Sequence, residues 1–329
     1  MSGQFRTNFL YSLPVCPCCG RKRTKGRFFL AGGGMVYRCR DCSVKFLSPQ
    51  PDEAQLKKLY SENYYAAWGI SGHQDNESTR SMKRATFRLR LALIRRFLQP
   101  YTDLRLLTSA SPDRYSRTLA DAASPDRRPH ILDVGCATGY FLELAEEEGF
   151  KPYGVEFSAY AAARARLRFG PDAIFQGTLE QSTFPKNDFT AIALSDLLEH
   201  TPSPQTTLTT AASLLQPAGV ILIMTPDTRS LSHFIMGRRW THYKPEHLFY
   251  FNHRSLTQLA NRCGLELVHF ERGKKALNLA YLYTQFRVYR HWLFTPLINI
   301  LHKLAPQKLR DRNFYLSIGE MVVILQKKP

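Results

Sequence analysis

Between residues 130 and 225, short apolar runs alternate with segments whose apolar positions recur at helical spacing. His130-Ile-Leu-Asp-Val134 and residues 152–156, 172–176, 189–195 and 219–225 read as buried strands, and residues 140–149, 158–168 and 204–215 as helices. Such alternation builds an α/β fold around a Rossmann-like, doubly wound parallel sheet. A helix at 255–263, a sixth strand at 265–270 and a seventh at 321–325 complete the pattern. Between the last two strands, residues 272–318 carry Tyr281, Tyr283, Phe286, Tyr289, Trp292 and Phe294 among Arg287, Arg290 and Lys303. A helical substrate lid is the leading expectation for this insertion, and an amphipathic surface resting on a membrane is the alternative. Upstream, residues 80–98 form a basic helix with Phe87, Leu91, Ile94 and Leu98 on one stripe, its basic face expected in water. Ser48-Pro-Gln-Pro51 breaks the chain before a short helix expected over 52–60, and the polar stretch 108–129 reads as a flexible insertion.

The first strand of the alternation runs into Gly135-Cys-Ala-Thr-Gly139, a turn that opens a helix at Tyr140. Open α/β sheets bind ligands outside the carboxyl ends of such strands. The dinucleotide fingerprint G-x-G-x-x-G is not met, because its third position is Ala137 and its sixth is Tyr140. Asp133 beside the turn repels a pyrophosphate and suits the ammonium and sulfonium of S-adenosylmethionine. Glu156, at the end of the next strand, is placed to accept hydrogen bonds from both ribose hydroxyls.

Charge sharpens this division. In a chain of net charge +18, residues 129–226 hold 5 Lys/Arg against 11 Asp/Glu, whereas the remaining residues hold 40 against 16. An acidic core fits a cationic cofactor, and basic flanks favour phosphate-bearing acceptors or surfaces. Cys16 and Cys19, then Cys39 and Cys42, form two C-x-x-C knuckles separated by 19 residues, the spacing of a closed tetrahedral zinc site. So short a segment needs such a staple, and four thiolates leave the zinc a structural role. Cys18 is a second candidate for the Cys19 position. Cysteines used this way, no membrane-length apolar run and no hydrophobic leader at Met1-Ser-Gly-Gln give a cytoplasmic expectation, with contact at the inner membrane face as a further option.

These residues together resemble the class I S-adenosylmethionine-dependent methyltransferases, in the ubiquinone-methyltransferase-like branch called methyltransferase domain 23 that carries an N-terminal zinc ribbon. The resemblance rests on Cys16-Pro-Cys-Cys-Gly20, Tyr37-Arg-Cys-Arg-Asp-Cys42, Phe46-Leu-Ser-Pro-Gln-Pro51, the glycine turn, Asp196-Leu-Leu-Glu-His200, Leu215 to Pro226 and Pro245-Glu-His-Leu-Phe-Tyr-Phe251. It implies a seven-stranded methyltransferase sheet over residues 129–329, a ribbon over 1–50 and a helical linker over 51–128. It also implies cofactor contacts from Gly135, Ala137, Gly139, Gly177, Thr178, Asp196 and Leu197, with Phe141 and Phe157 as apolar walls. The chain departs from the family pattern at Ala137 and Ala218, where glycine is usual.

Methyl transfer is an in-line displacement, so holding the acceptor near the methyl supplies much of the rate. A hydroxyl acceptor also loses a proton, and His200 and His247 border the cofactor loops as candidate bases. Glu199 with both histidines could alternatively hold a divalent ion. Trp240, His242 and Tyr243 are candidate acceptor contacts, and Arg238 and Arg239 candidate anion contacts. The expected acceptor is a sugar, glycolipid precursor or secondary metabolite, methylated on oxygen. An RNA substrate gripped by the basic ribbon and a non-catalytic cofactor-binding module are the alternatives.

Overall fold

A computed structural model describes residues 14–30, 34–52, 55, 77–107, 128–244, 246–288 and 294–327. Nearly all of the helix expected over 52–60, residues 108–127 of the expected insertion, and Tyr289, Arg290 and Trp292 lie outside the described residues.

Seven strands form the central sheet: β4 (His130–Val134), β5 (Lys151–Glu156), β6 (Ile174–Gln176), β7 (Phe189–Ser195), β8 (Leu215–Pro226), β10 (Leu265–Arg272) and β13 (Glu320–Lys327). Their order is β10-β13-β8-β7-β4-β5-β6. Strands β8, β7, β4, β5 and β6 run parallel, while β13 lies antiparallel between β8 and β10. Central strands of such sheets are covered on both faces and read as continuous apolar runs. Val220, Ile221, Leu222, Ile223 and Met224 of β8 accordingly expose no surface.

The crossover helices are α2 (Tyr140–Glu147), α3 (Ala159–Phe169), α4 (Pro204–Leu214) and α6 (His253–Arg262), preceded by the long α1 (Glu77–Leu107). Local chemistry fixes their ends. Pro204 occupies the first turn of α4, and Asn252 caps α6 reciprocally with Ser255.

The basic face of α1 differs from its expected place in water. Arg80 binds Glu143 at 2.8 Å, Arg84 binds Glu147 at 2.5 Å, and Arg95 reaches Glu148 at 3.2 Å. Acids at 143, 147 and 148 recur at helical spacing on and just beyond α2, so two oppositely charged helices lie against one another. The charge asymmetry of the sequence is therefore partly neutralised within the fold.

The ribbon strands β1 (Thr24–Phe29), β2 (Met35–Cys39) and β3 (Lys45–Ser48) continue into β9 (Phe249–Tyr250), which follows the central strand β8. Lys45 pairs with Tyr250 and Phe46 with Phe249, and the Leu47 amide donates to the Leu248 carbonyl at 2.9 Å. Val36, Val44 and Phe46 share one buried cluster with Leu248, Phe249 and Phe251. The N-terminal strands thus share one hydrophobic core with the central-sheet domain.

The insertion before β13 contains β11 (Lys275–Leu277), α7 (Leu279–Val288), α8 (Phe294–Leu304), α9 (Gln307–Arg310) and β12 (Phe314–Leu316). β11 and β12 pair antiparallel, a small sheet that the sequence pattern did not predict. The remaining helix, α5 (Leu231–Met236), follows β8.

Candidate active site

The carboxyl ends of β4, β5 and β7 bring most of the expected cofactor residues together. Gly135 and Gly139 adopt left-handed φ of 80° and 88°, as the strand-to-helix turn requires. A side chain at Gly135 would meet Leu197 Cδ1 at 3.0 Å, so Leu197 lies directly over the turn. Glu156 is buried and accepts from the Ala137 amide at 2.9 Å and the Ser158 amide at 2.7 Å. The Gly177 amide donates to the Glu156 carbonyl at 2.9 Å, and Thr178 starts a turn capped reciprocally with Gln181. Phe157, at the end of β5, is half-buried beside Glu156. Phe141 packs edge-on against Phe87 of α1 in the core, with ring centroids 5.7 Å apart.

Both departures from the family pattern fall on left-handed backbone: Ala137 has φ 48° and Ala218 φ 59°. The cost of alanine at 137 therefore resides in the backbone as well as in any crowding of the cofactor, about 1 kcal/mol for a Cβ in this region. Ala137→Gly is expected to raise thermal stability slightly, by up to roughly 1 kcal/mol after the added freedom of the unfolded chain, without weakening cofactor affinity. Thermal melts with and without S-adenosylmethionine check this.

Asp133 is 5% exposed, and burial pushes its carboxyl up to about 8 despite the opposing Arg90 guanidinium. A cationic ligand there stabilises the ionised form, so binding near neutral pH releases a proton. Affinity for S-adenosylmethionine should thus rise with pH up to about 8 and level off above it. Calorimetry in buffers of different ionisation enthalpy reads the released proton, and Asp133→Asn should remove it.

Asp196, at left-handed φ 53°, carries a network that the sequence did not reveal. Arg90 of α1 lies 3.4 Å from its carboxylate, and Lys275 of β11 lies 3.3 Å from it and 2.5 Å from Glu320 of β13. Burial opposes the Asp196 charge, but Lys275 and Arg90 hold its carboxyl below the usual range. Arg90 read as one more cation of a solvated helix. Only its position one turn before the buried Ile94 hinted otherwise.

A short 3₁₀ turn, Leu198–His200, follows Leu197 and carries the candidate base. The His200 Nδ1 lies 2.9 Å from the Glu246 carbonyl, so Nδ1 carries the proton and Nε2 the lone pair. Burial lowers its pKa to about 4, which keeps the ring neutral near pH 7. The His247 ring stands edge-on to it, with centroids 4.6 Å apart. Burial pulls His247 well below the ordinary histidine range. The side-chain ligand atoms of Glu199, His200 and His247 all lie within 4.8 Å of one another. Among the described residues, Glu199 Oε2 and His247 Nδ1 are buried without hydrogen-bond partners, and burial raises Glu199 to about 8. Trp240 and His242 extend the cluster, their rings 4.8 Å apart. Tyr243 instead faces the ribbon, 2.8 Å from Lys45 Nζ. Arg238 and Arg239 are exposed.

At the ribbon tip, Cys16 and Cys42 sulfurs are 3.6 Å apart, Cys19 and Cys39 sulfurs 3.5 Å, and all four lie within 4.8 Å. Cys18 stands outside this set and hydrogen bonds to Cys16. The four thiols fit a tetrahedral zinc ion with no open position.

A largely parallel sheet with a glycine turn, a buried acid and a histidine pair at its carboxyl edge is the arrangement of a Rossmann-like enzyme of the nucleoside-cofactor class. Residues 107–270 match the family described as Methyltransferase domain. An S-adenosylmethionine-dependent methyltransferase of Mycolicibacterium smegmatis, named as probable, is 25% identical over 137 residues, 42% of this chain and 52% of that protein. The ubiquinone biosynthesis O-methyltransferase of Azoarcus is 26% identical over 154 residues, 42% of this chain and 64% of that protein. This chain thus spans between half and two thirds of these relatives. A solved S-adenosylmethionine-dependent methyltransferase from Archaeoglobus fulgidus aligns with a TM-score of 0.41 at 17% identity, covering 64% of this chain and 92% of that one. Residues 107–270 thus carry a methyltransferase domain, and the fold and the relatives support the class I S-adenosylmethionine-dependent type.

Proposed function

We propose that the protein transfers a methyl group from S-adenosylmethionine to a hydroxyl of a sugar, glycolipid precursor or small metabolite. The observation that carries this is the placement of neutral His200 three residues beyond Leu197, which itself covers the glycine turn. In this reading Asp133 faces the cationic end of the cofactor and Glu156 holds the ribose hydroxyls. Gly177 and Thr178 border the adenine, and Phe157 is a wall of its pocket. The acceptor oxygen attacks the methyl carbon as the carbon–sulfur bond breaks, leaving S-adenosylhomocysteine, and His200 Nε2 takes the hydroxyl proton. The Glu246 carbonyl fixes the tautomer that leaves Nε2 basic. The Azoarcus relative, named for O-methylation, supports an oxygen acceptor. Four cysteines hold a structural zinc that keeps the ribbon, and through β9 the His247 loop, in place.

His200→Ala is expected to lower turnover by about 10²- to 10⁴-fold, the usual contribution of a general base, while leaving cofactor affinity near that of the wild type. Turnover at the wild-type level overturns the assignment. The buried, unpartnered Glu199 Oε2 and His247 Nδ1 favour one second reading. Together with His200 they would hold a divalent cation that lowers the acceptor hydroxyl's pKa. Glu199→Gln separates the two. A neutral glutamine resembles the protonated acid that burial favours at pH 7 and preserves base catalysis, whereas loss of both bound metal and turnover identifies the metal site.

A further inference from the structure

Large apolar side chains at the surface are concentrated in one region. Of nineteen that stand exposed among the described residues, thirteen lie within 231–235 and 294–318. Scattered surface hydrophobics are ordinary, but a contiguous group marks an interaction surface.

The helix α8 shows the anomaly most clearly. Ile298 is 9% exposed and lines a cleft with Leu279 and Leu282 of α7, so this face is satisfied by packing. Yet Leu297, Ile300 and Leu304, at helical spacing on the other side, are 47%, 57% and 76% exposed. A surface helix in water should present a mainly polar face there, whereas on α8 these three large apolar side chains stand exposed alongside Asn299 and Lys303, the mixed face of a helix that lies at an interface. On α5, Leu231, Phe234 and Ile235 are 70%, 84% and 72% exposed. The two regions adjoin, because Ser232 Oγ donates to the Ile318 carbonyl at 3.3 Å, just beyond β12. The insertion expected as a lid thus turns much of its apolar surface to solvent.

Charge selects the occupant. Residues 228–244 contain Arg229, Arg238, Arg239 and Lys244 and no acid, and residues 294–318 contain four Lys/Arg against Asp311 alone. Arg238, Arg239, Lys303, Lys308 and Arg312 are exposed, flanking the apolar side chains. A second copy meeting this face across a two-fold axis would set like charge against like. Apolar residues with flanking cations match the interfacial zone of an anionic bilayer, where the rings and aliphatic chains enter the acyl boundary and the cations meet headgroup phosphates. No helix among the described residues is long and apolar enough to cross a membrane, so the contact is peripheral.

We propose that α5, α8 and β12 form a docking face for an anionic lipid bilayer. The face ends beside the candidate active site, since the Ile318 carbonyl lies close to the His242 ring. On the proposed function, docking there sets the bilayer beside the segment that carries the histidine cluster, where an acceptor carried on a lipid is presented.

Sedimentation of the full chain with vesicles tests this without requiring methyl transfer, so the membrane inference and the proposed reaction fail independently. Vesicles of phosphatidylcholine mixed with phosphatidylglycerol should retain the protein better than phosphatidylcholine alone, and salt should weaken retention. The paired substitutions Phe234→Ser with Ile235→Ser, and Leu297→Ser with Ile300→Ser, should each lower retention on the order of tenfold, as expected for withdrawing roughly one large side chain's worth of buried surface. Arg238→Glu with Arg239→Glu should abolish most of the preference for the anionic lipid. Calorimetry with S-adenosylmethionine confirms that each variant is folded. Absence of retention on anionic vesicles at low salt overturns the proposal, as does wild-type retention by both apolar variants. A dimer in solution that the Phe234→Ser, Ile235→Ser chain cannot form, with no vesicle binding, assigns the face to a second copy and also overturns it.

Discussion

Removing the proposed zinc, by chelation or by Cys39→Ser, is expected to abolish methyl transfer while cofactor binding survives. A structural zinc of this type supplies on the order of 10–16 kcal/mol to a small module, more than the ribbon's own core can replace. Loss would not remain confined to residues 14–48, because β3 pairs with β9 and Phe46 shares a buried cluster with Leu248, Phe249 and Phe251. Asn252 Nδ2 also donates to the Ser43 carbonyl at 3.2 Å, and Arg262 to the Cys19 carbonyl at 2.9 Å. The loop bearing His247 and the Glu246 carbonyl that orients His200 therefore lose their support. Gly135, Asp133 and Glu156, held by the central sheet, keep theirs. Hydrogen exchange should show protection lost at 35–48 and 246–251 and retained at 130–156, with S-adenosylmethionine affinity little changed. Retained protection at 246–251 after metal loss would show that the ribbon is a separate appendage.

The second large effect is expected at Glu156. Its two carboxylate oxygens already accept from the Ala137 and Ser158 amides, which leaves further lone pairs for the ribose. Hydrogen bonds to a charged acceptor contribute about 1.5–3 kcal/mol each, so losing two ribose contacts should weaken cofactor binding on the order of 100-fold or more. Glu156→Ala also strands two amides in the turn, at roughly 1–3 kcal/mol each if water cannot reach them. Affinity and melting temperature should therefore fall together. A lower melting temperature with unchanged affinity would show that Glu156 only braces the turn.

Much of the sheet was legible because its strands satisfy one simple demand. Val220 to Met224 are buried on both faces, and a continuous apolar run is the direct expression of that burial. The glycine turn was legible because few other residues adopt the required dihedrals, and the four zinc candidates because two knuckles on one ion impose their own spacing. Arg90, Lys275 and Glu320 were not legible as a group. Each comes from a different element, and their shared partner, Asp196, is reached only when α1, β11 and β13 dock at the end of β7. β9 was missed for a related reason, since two residues carry no period and its pairing partner is about two hundred positions away. Ala137 and Ala218 were visible as departures from a pattern, but their shared left-handed φ belongs to the fold. The insertion is helical as expected, but its use was not legible. Its aromatics made a lid the leading expectation and a membrane-resting surface the alternative, and it is the burial of Ile298 against the exposure of Leu297 and Ile300 that favours the surface.

Titration of the full chain with S-adenosylmethionine in a calorimeter, near pH 8, tests most directly the claim that the turn after β4 is a cofactor site. One site per chain is expected, displaced by S-adenosylhomocysteine and strongly weakened in Glu156→Ala. Absence of binding heat across several temperatures, or binding that Glu156→Ala leaves intact, would contradict it.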